Sequence, residues 1–187
     1  MKQFLNNLSN TIDNDFTIPL ISGEVKIIED QSQAKCKKVI LKSLSKQFFA
    51  FTLDRSLDNR CKIFPFFNKS TALINKVNDG IVFYINNNQI FVFLVELKSN
   101  HLGEYQEQLQ AGKVFVYFLL GIINNAFSKN YVLEEKNIKC LVFSVRKTAR
   151  KQGTKRKSIK YEQINGLNIA NDLQCHQTYY IENFILR

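Results

Sequence analysis

The sequence predicts an α/β protein in which helices flank a mixed central sheet. Two segments, 80–85 and 89–95, lie on either side of three asparagines (86–88) and are apolar at odd and even positions alike, as in strands covered on both faces. A long helical pattern and a third apolar strand follow, and this order implies a right-handed parallel crossover with helices on both faces of the sheet. The chain of 187 residues fits one compact core, so 1–187 is treated as a single domain.

The amino-terminal half of the chain has less regular patterns. Residues 31–48 favour an amphipathic helix, because apolar residues recur every three or four positions beside a separate stripe of lysines. Residues 48–53 are rich in aromatic side chains and favour a strand. Residues 54–76 have no period and are expected to form a loop whose aromatic residues pack on the core.

Stronger signals begin at residue 80. Asparagine tolerates the left-handed backbone of tight hairpin turns, so the run at 86–88 predicts a β-hairpin. Residues 103–124 predict a helix, and 139–145 predict the strand that follows it. Two further elements are expected near 161–173 and 178–186.

The predicted helix carries apolar residues on two sides. Its main stripe consists of Tyr105, Leu109, Gly112, Val116, Leu119 and Ile123. Val114, Phe118 and Ile122 lie opposite that stripe, so the second half of the helix is expected to be buried all round.

Positive charge is concentrated in one segment. Lysine and arginine number 26 against 16 aspartates and glutamates, for a net charge of +10. Residues 146–160 contain eight cations and no acid, and without them the net charge falls to +2. These cations are Arg146, Lys147, Arg150, Lys151, Lys155, Arg156, Lys157 and Lys160. We expect a flexible basic segment that binds the phosphates of nucleic acid, although nuclear-localisation and lipid-binding segments have similar compositions.

The cysteines give no metal signature. They are far apart in the sequence, at Cys36, Cys61, Cys140 and Cys175, and only two histidines could complement them in a zinc cluster. Free thiols in a cytoplasmic protein are therefore expected. The amino terminus lacks the apolar stretch of a signal peptide, and no apolar run is long enough to span a bilayer, so neither secretion nor a membrane partner is expected.

Charged residues end the second hairpin strand. Glu96 and Lys98 share one face of it, about 6.6–6.8 Å apart, because side chains alternate along a strand. A two-residue loop at 87–88, or a four-residue loop over 86–89, places Asp79 opposite Glu96, whereas a three-residue loop places it on the other face. Opposed carboxylates repel each other unless a cation lies between them, and such oxygen ligands suit Mg²⁺ or Mn²⁺. The alternative is a surface salt bridge between Glu96 and Lys98.

Three polar residues could contact a substrate near these carboxylates. Lys98 would be within reach of a phosphate, where it could hold or deprotonate an attacking water or stabilise charge. Gln108 borders the buried face of the predicted helix, and the alternative is a boundary glutamine with no special role. His101 could contact phosphate, but an exposed loop position is the simpler interpretation, and we do not expect a general base there.

The sequence resembles the PD-(D/E)XK superfamily of metal-dependent nucleases. The resemblance lies in Asp79, in Glu96-Leu97-Lys98 at the end of an apolar strand, and in the helix with Gln108 that follows. The resemblance covers roughly residues 75–146 and implies a restriction-endonuclease-like αβββαβ core. It also implies Asp79 and Glu96 as metal ligands, with the carbonyl of Leu97 joining them. Lys98 would be the catalytic lysine, and Gln108 would help to hold the site or the substrate.

The resemblance departs from the family pattern at two points. Asn78 stands where the family name has a proline, which many members also lack. The acid that the first helix often supplies has no clear equivalent, and Glu24, Glu29 and Asp30 are the candidates.

Together these patterns predict a Mg²⁺- or Mn²⁺-dependent endonuclease that hydrolyses phosphodiester bonds of nucleic acid, with DNA expected over RNA. One alternative is a non-catalytic nucleic-acid-binding module of the same fold. Another is a protein-interaction subunit that binds an acidic partner through the basic segment. A homodimer would fit the nuclease, because cutting both strands of a duplex usually takes two sites, and a place in a larger complex is the other arrangement considered. The sequence itself shows no interface.

Overall fold

The computed structural model describes residues 2–45, 47–54, 76–99, 105–145 and 159–185, which form two α-helices, eleven strands and three short 3₁₀ helices. The helices are α1 (Lys2–Thr11) and α2 (Tyr105–Ala126). The strands are β1 (Thr17–Ile18), β2 (Leu20–Ile21), β3 (Glu24–Ile28), β4 (Lys38–Lys42), β5 (Phe48–Phe51), β6 (Gly80–Asn86), β7 (Gln89–Lys98), β8 (Ile138–Ser144), β9 (Glu162–Ile164), β10 (Leu167–Gln174) and β11 (Thr178–Tyr180).

The strands form two mixed sheets. A central sheet has the order β1-β5-β6-β7-β8-β10-β9, and a smaller one has the order β11-β4-β3-β2. One face of the central sheet packs against both helices, with Phe4 of α1 and Leu109 of α2 in the same buried cluster. The other face packs against the smaller sheet through residues such as Val25 and Leu41. The α/β class with a mixed sheet is therefore confirmed. The expectation of helices on both faces is wrong for the described residues, because the smaller sheet covers the second face.

The central hairpin has the predicted short turn. β6 pairs with β7 in antiparallel register, with Gly80 opposite Val95, and Asn87 and Asn88 have φ values of 47° and 59°. Positive φ at both positions is the requirement of a two-residue type I′ turn. β7 also pairs in parallel with β8, so the predicted parallel crossover through α2 is confirmed.

Helix α2 buries one stripe only. The six residues of the predicted main stripe are all buried, and Leu120 joins them. Val114, Phe118 and Ile122 are exposed, so the expectation of burial all round is wrong. The helix lies on the outer side of the central sheet, where a single stripe can face that sheet. No helix among the described residues is long and apolar enough to cross a membrane.

The amphipathic helix predicted over 31–48 is replaced by strand β4 and the start of β5. Val39 and Leu41 are buried while Lys38 is exposed, which is the two-residue alternation of a strand. The helix was predicted because Cys36, Val39, Ile40 and Leu44 recur at intervals of one, three and four, and a run of three apolar residues between two lysines also fits a helical turn. Pairing with β3 and β11 then decides in favour of the strand.

The ends of the chain contain elements that local pattern specified poorly. Helix α1 was not predicted, although its Phe4 and Leu8 are four residues apart and fully buried. β10 overlaps the expected segment 161–173, and β11 lies within the expected segment 178–186. The aromatic run at 64–67 lies outside the described residues.

Cys36 and Cys175 are joined by a disulfide bond, with their Cα atoms 5.5 Å apart. The expectation of free thiols is therefore wrong for this pair, whereas Cys140 is a free, buried thiol. The two partners are 139 positions apart in the chain, so their proximity follows from tertiary pairing. The parallel alignment of β4 with β11 brings together the residues that precede both strands.

Candidate active site

Two buried carboxylates lie where β6 begins and β7 ends. Asp79 directly precedes β6, and the hairpin register carries it opposite Glu96 near the end of β7. Asp79 is 6% exposed and Glu96 is 0% exposed. The loop at 87–88 has two residues, and Asp79 lies opposite Glu96 as predicted for a loop of that length.

Lys98 links the end of β7 to helix α2. Its Nζ lies 2.9 Å from Glu96 Oε2 and also donates a hydrogen bond to Gln108 Oε1. Gln108 Nε2 in turn donates to the carbonyl of Val77, at 3.2 Å. The alternative of a surface salt bridge does not describe this pair, because Glu96 has no exposed surface. Gln108 therefore holds the lysine against the segment that leads into Asp79 and β6.

The carboxylate of Asp79 is tied to the opposite strand through Leu97. The backbone N–H of Leu97 donates a hydrogen bond to Asp79 Oδ2. The N–H and C=O of one strand residue point to the same side of that strand, so the Leu97 carbonyl also faces the Asp79 end of the hairpin.

Burial raises the pKa of both carboxyl groups. Burial raises the pKa of Asp79 well above its usual range, and the charge on Glu96 raises it further, against the Leu97 N–H and Lys98. Burial raises the pKa of Glu96 to about 7, although Lys98 and Asn78 stabilise its ionised form. The cationic groups at hand therefore compensate only part of the negative charge, as at a site that favours a further cation.

Two more acids approach Asp79. One carboxylate oxygen from each of Glu29, Asp54 and Asp79 lies within 4.8 Å of the other two, and Glu29 and Asp54 are half-buried. Of the three sequence candidates for a further acid, Glu29 is therefore the one that reaches the site. Glu24 instead forms an ion pair with Lys42 at 2.7 Å.

Glu29 reaches the site because β3 packs closely over the start of β6. A Cβ on Gly80 would lie 2.8 Å from Ile27 Cδ1, so the absence of a side chain at Gly80 lets Ile27 approach. Glu29 follows β3 directly and is thereby carried towards Asp79. The contact of Ile27 with Gly80 joins the two sheets, and no local sequence pattern predicts it.

Asp54 was missed by the sequence interpretation, which treated it as the first residue of a loop. The position of Asp54 can be predicted once β5 is known to pair with β6, with Phe51 opposite Ile81. Extending this antiparallel register by three residues brings Asp54 to the level of Asn78, next to Asp79. The sequence analysis predicted β5 without naming its partner strand, so it could not place Asp54 near Asp79.

Asn78 was noted in the sequence only for standing in the place of a proline. In the structure it is fully buried and donates from Nδ2 to Glu96 Oε1 at 2.8 Å. The same nitrogen donates to the carbonyl of Gln108 at 3.2 Å. Asn78 therefore belongs to the group of residues that fix Glu96.

The acids border a cavity of about 390 Å³. The acids Glu29, Asp54 and Asp79 line it together with Lys76 and Lys98. Charged groups of both signs suit a polar ligand such as a phosphate with its counter-ion more than an apolar molecule.

Most of the predicted phosphate-binding segment lies outside the described residues. This applies to Arg146, Lys147, Arg150, Lys151, Lys155, Arg156 and Lys157, and also to His101. Lys160 is described and is exposed.

Comparisons of the chain with protein-family models, with curated proteins and with solved structures return no significant match. A fold alone is compatible with many functions, so the function has to be inferred from the chemistry of the site.

Proposed function

We propose that this protein is a metal-dependent nuclease of the PD-(D/E)XK type, which hydrolyses phosphodiester bonds of nucleic acid, with DNA as the expected substrate. One observation carries the proposal: Asp79 and Glu96 are both buried at one end of adjacent strands, and Lys98 contacts Glu96. A structural ion pair needs only one of these acids. A second buried carboxylate destabilises the ion-free protein, and its presence therefore supports a role in chemistry.

The order of elements supports a restriction-endonuclease-like core. Helix α1, strands β5, β6 and β7, helix α2 and strand β8 follow one another as α, β, β, β, α, β. The four strands are neighbours in the sheet, with two antiparallel pairs followed by one parallel pair. In this interpretation β1 to β4 are an insertion between α1 and β5, and they supply Glu29.

The donor set fits a hard divalent ion. Glu29, Asp54 and Asp79 offer carboxylate oxygens close to one another, with Glu96 and the Leu97 carbonyl at the same end of the hairpin. Oxygen ligands without sulfur or imidazole suit Mg²⁺ or Mn²⁺. When bound, such an ion would supply Lewis-acid chemistry at a phosphate oxygen.

The residues around the acids have separable roles in this proposal. Glu96 and Gln108 hold the Lys98 ammonium group at the cavity. From there the ammonium can hold an attacking water or stabilise the negative charge that develops on the phosphate. Gln108 acts through Lys98 as a positioning residue. Its amide oxygen accepts a hydrogen bond from the lysine, and its amide nitrogen donates one to the Val77 carbonyl.

The basic segment supplies binding without sequence selection. Each lysine or arginine that neutralises a phosphate releases condensed counter-ions, which gives affinity that falls with salt. Nucleic acid fits both this segment and the carboxylate site, whereas a lipid surface or an acidic protein fits the segment alone.

A cleavage assay tests the proposal. Labelled single- and double-stranded DNA and RNA are incubated with the protein over a Mg²⁺ or Mn²⁺ titration, with chelator as the blank. We expect cleavage that requires the ion and is lost in Lys98→Ala. Lys113→Ala is the matched control, because Lys113 is also ion-paired and partly buried but lies on α2 away from the cavity.

The same assay separates the alternatives. Salt-sensitive binding of nucleic acid without cleavage at any ion concentration would indicate a binding module of this fold. The absence of both binding and cleavage would indicate an interaction subunit. Either of these two results would overturn the proposed activity.

A further inference from the structure

Asn78 has an amide whose orientation is fixed by its surroundings. Its Nδ2 faces two acceptors, Glu96 Oε1 at 2.8 Å and the Gln108 carbonyl at 3.2 Å. A flipped amide would place its oxygen against both acceptors, so only the observed orientation is favourable. The Oδ1 atom then points the other way, is buried, and accepts no hydrogen bond from the described residues.

The oxygen of Asn78 lies against the backbone of α2 at Gly112. A Cβ built on Gly112 would be 1.8 Å from Asn78 Oδ1 and 2.8 Å from its Cγ. No side chain fits there unless the amide moves. Gly121, on the same helix, has nothing within 4 Å of its built Cβ. Gly112 is therefore required by a specific neighbour rather than by the helix itself.

From these contacts we infer that Asn78 is a positioning residue for Glu96 and that Gly112 provides the space in which its amide is held. The inference rests on the proposed function, because it takes Glu96 to be part of the ion site. Glu96 Oε1 accepts a hydrogen bond from Asn78 and Oε2 is ion-paired with Lys98, so the carboxylate is held from both sides. The Asn78 amide also bonds the carbonyl of Gln108, the residue whose side chain holds Lys98.

This arrangement couples the strand that carries the acid to the helix that holds the lysine. Partners that orient a metal-binding group typically change metal affinity by about 10–100-fold when they are removed. Displacing the Asn78 amide should therefore weaken ion binding without altering any ligand of the ion.

Mn²⁺ affinity, measured by calorimetry without nucleic acid, tests the inference. We expect Asn78→Ala and Gly112→Ala each to weaken Mn²⁺ binding by about 10–100-fold at temperatures well below their melting points. Gly121→Ala is the matched control and should bind Mn²⁺ like the wild type. Wild-type affinity in both Asn78→Ala and Gly112→Ala would overturn the inference and leave the nuclease proposal standing.

The double variant distinguishes positioning from a general disturbance of the helix. The three atoms nearest to a Cβ on Gly112 all belong to the Asn78 amide, so Asn78→Ala with Gly112→Ala should bind Mn²⁺ no more weakly than Asn78→Ala alone. Additive effects would mean that Gly112 acts independently of Asn78 and would overturn the pairing. If Gly112→Ala does not fold, the affinity of Asn78→Ala decides. A wild-type protein that binds no Mn²⁺ would overturn both this inference and the proposed function.

Discussion

Lys98 and Glu96 form an ion pair whose two partners differ in exposure: Nζ lies 2.9 Å from Oε2, yet the Glu96 side chain is 0% exposed and that of Lys98 is 19% exposed. The acid lies inside the protein and the tip of the lysine reaches the cavity. Loss of the lysine would leave a buried carboxylate without its cation, and loss of the acid would release the lysine from its position. The two residues therefore act as a unit.

The first prediction concerns this unit and Asp79. Asp79→Ala, Glu96→Ala and Lys98→Ala should each abolish cleavage while the circular dichroism spectrum of the fold is retained. Each substitution removes either an ion ligand or the group that acts on the attacking water and the phosphate. Asp172→Ala, which changes an exposed acid on β10, should keep wild-type turnover. Substantial cleavage by any of the three site variants would refute the assignment.

The second prediction separates Glu29 from Glu24. Mg²⁺ or Mn²⁺ should raise the melting temperature of the wild type, because an ion that binds only the folded state stabilises it by mass action. Glu29→Gln and Glu96→Gln should reduce this rise. Glu24→Gln should not, since Glu24 pairs with Lys42 away from the acids. Equal ion-induced shifts in the Glu24 and Glu29 variants would place the ion elsewhere.

The third prediction follows from the pKa of Glu96. In the folded protein it is raised to about 7 from an ordinary value of 4.5, so the folded state holds a proton that the unfolded state has released. Stability of the ion-free protein should therefore fall as pH rises from about 4.5 through 7. Glu96→Gln should flatten that fall, and Asp79→Asn should raise the melting temperature at neutral pH by removing the opposed charge.

Denaturant unfolding in chelator across this pH range measures the effect. Saturating Mg²⁺ should reduce the fall, because the ion binds the deprotonated carboxylates. A wild-type stability that rises over the same range would contradict the raised pKa values.

Local signals were enough to predict the centre of the site but not its surroundings. Asp79, Glu96 and Lys98 lie on one hairpin, and its register depends on a two-residue turn of asparagines. Glu29 arrives from the other sheet through the contact of Ile27 with Gly80. Such a contact depends on how two layers stack, which no local periodicity encodes.

The same limit explains the errors in the amino-terminal half. The three apolar residues of β4 between two lysines also fit a helical turn, and its neighbour β11 comes from a distant part of the chain. The contact of Asn78 with Gly112 likewise depends on the docking of α2 against the start of β6. A glycine inside a helical pattern signals a close approach without saying what approaches.

The fourth prediction concerns the disulfide. A cross-link between residues 139 positions apart restricts the unfolded chain strongly, and the chain-entropy estimate for so long a loop is about 4–5 kcal/mol. Dithiothreitol should therefore lower the melting temperature of the wild type. The double variant Cys36→Ser with Cys175→Ser should melt at a lower temperature and be insensitive to the reductant. Peptide mapping without reductant that fails to join the two cysteines would refute the bond.

The last prediction separates binding by the basic segment from chemistry at the acids. Removing one phosphate-neutralising cation should reduce the slope of log affinity against log salt by about 0.9 on duplex DNA. Changing Lys155, Arg156 and Lys157 together to serine should therefore flatten the salt dependence and weaken all sequences about equally. The apparent KM should rise while turnover at saturating substrate falls less, because ground and transition states are bound alike.

A second triple variant makes this prediction specific to the segment. Replacing the exposed lysines Lys26, Lys129 and Lys136 by serine removes the same charge from elsewhere on the surface. Its salt slope should stay near that of the wild type, because release of counter-ions requires charges that touch the phosphates. Equal slopes for the two triple variants would mean that only the overall charge of the protein matters. A fall in turnover with an unchanged slope in the first variant would assign the segment to the catalytic machinery or to the fold.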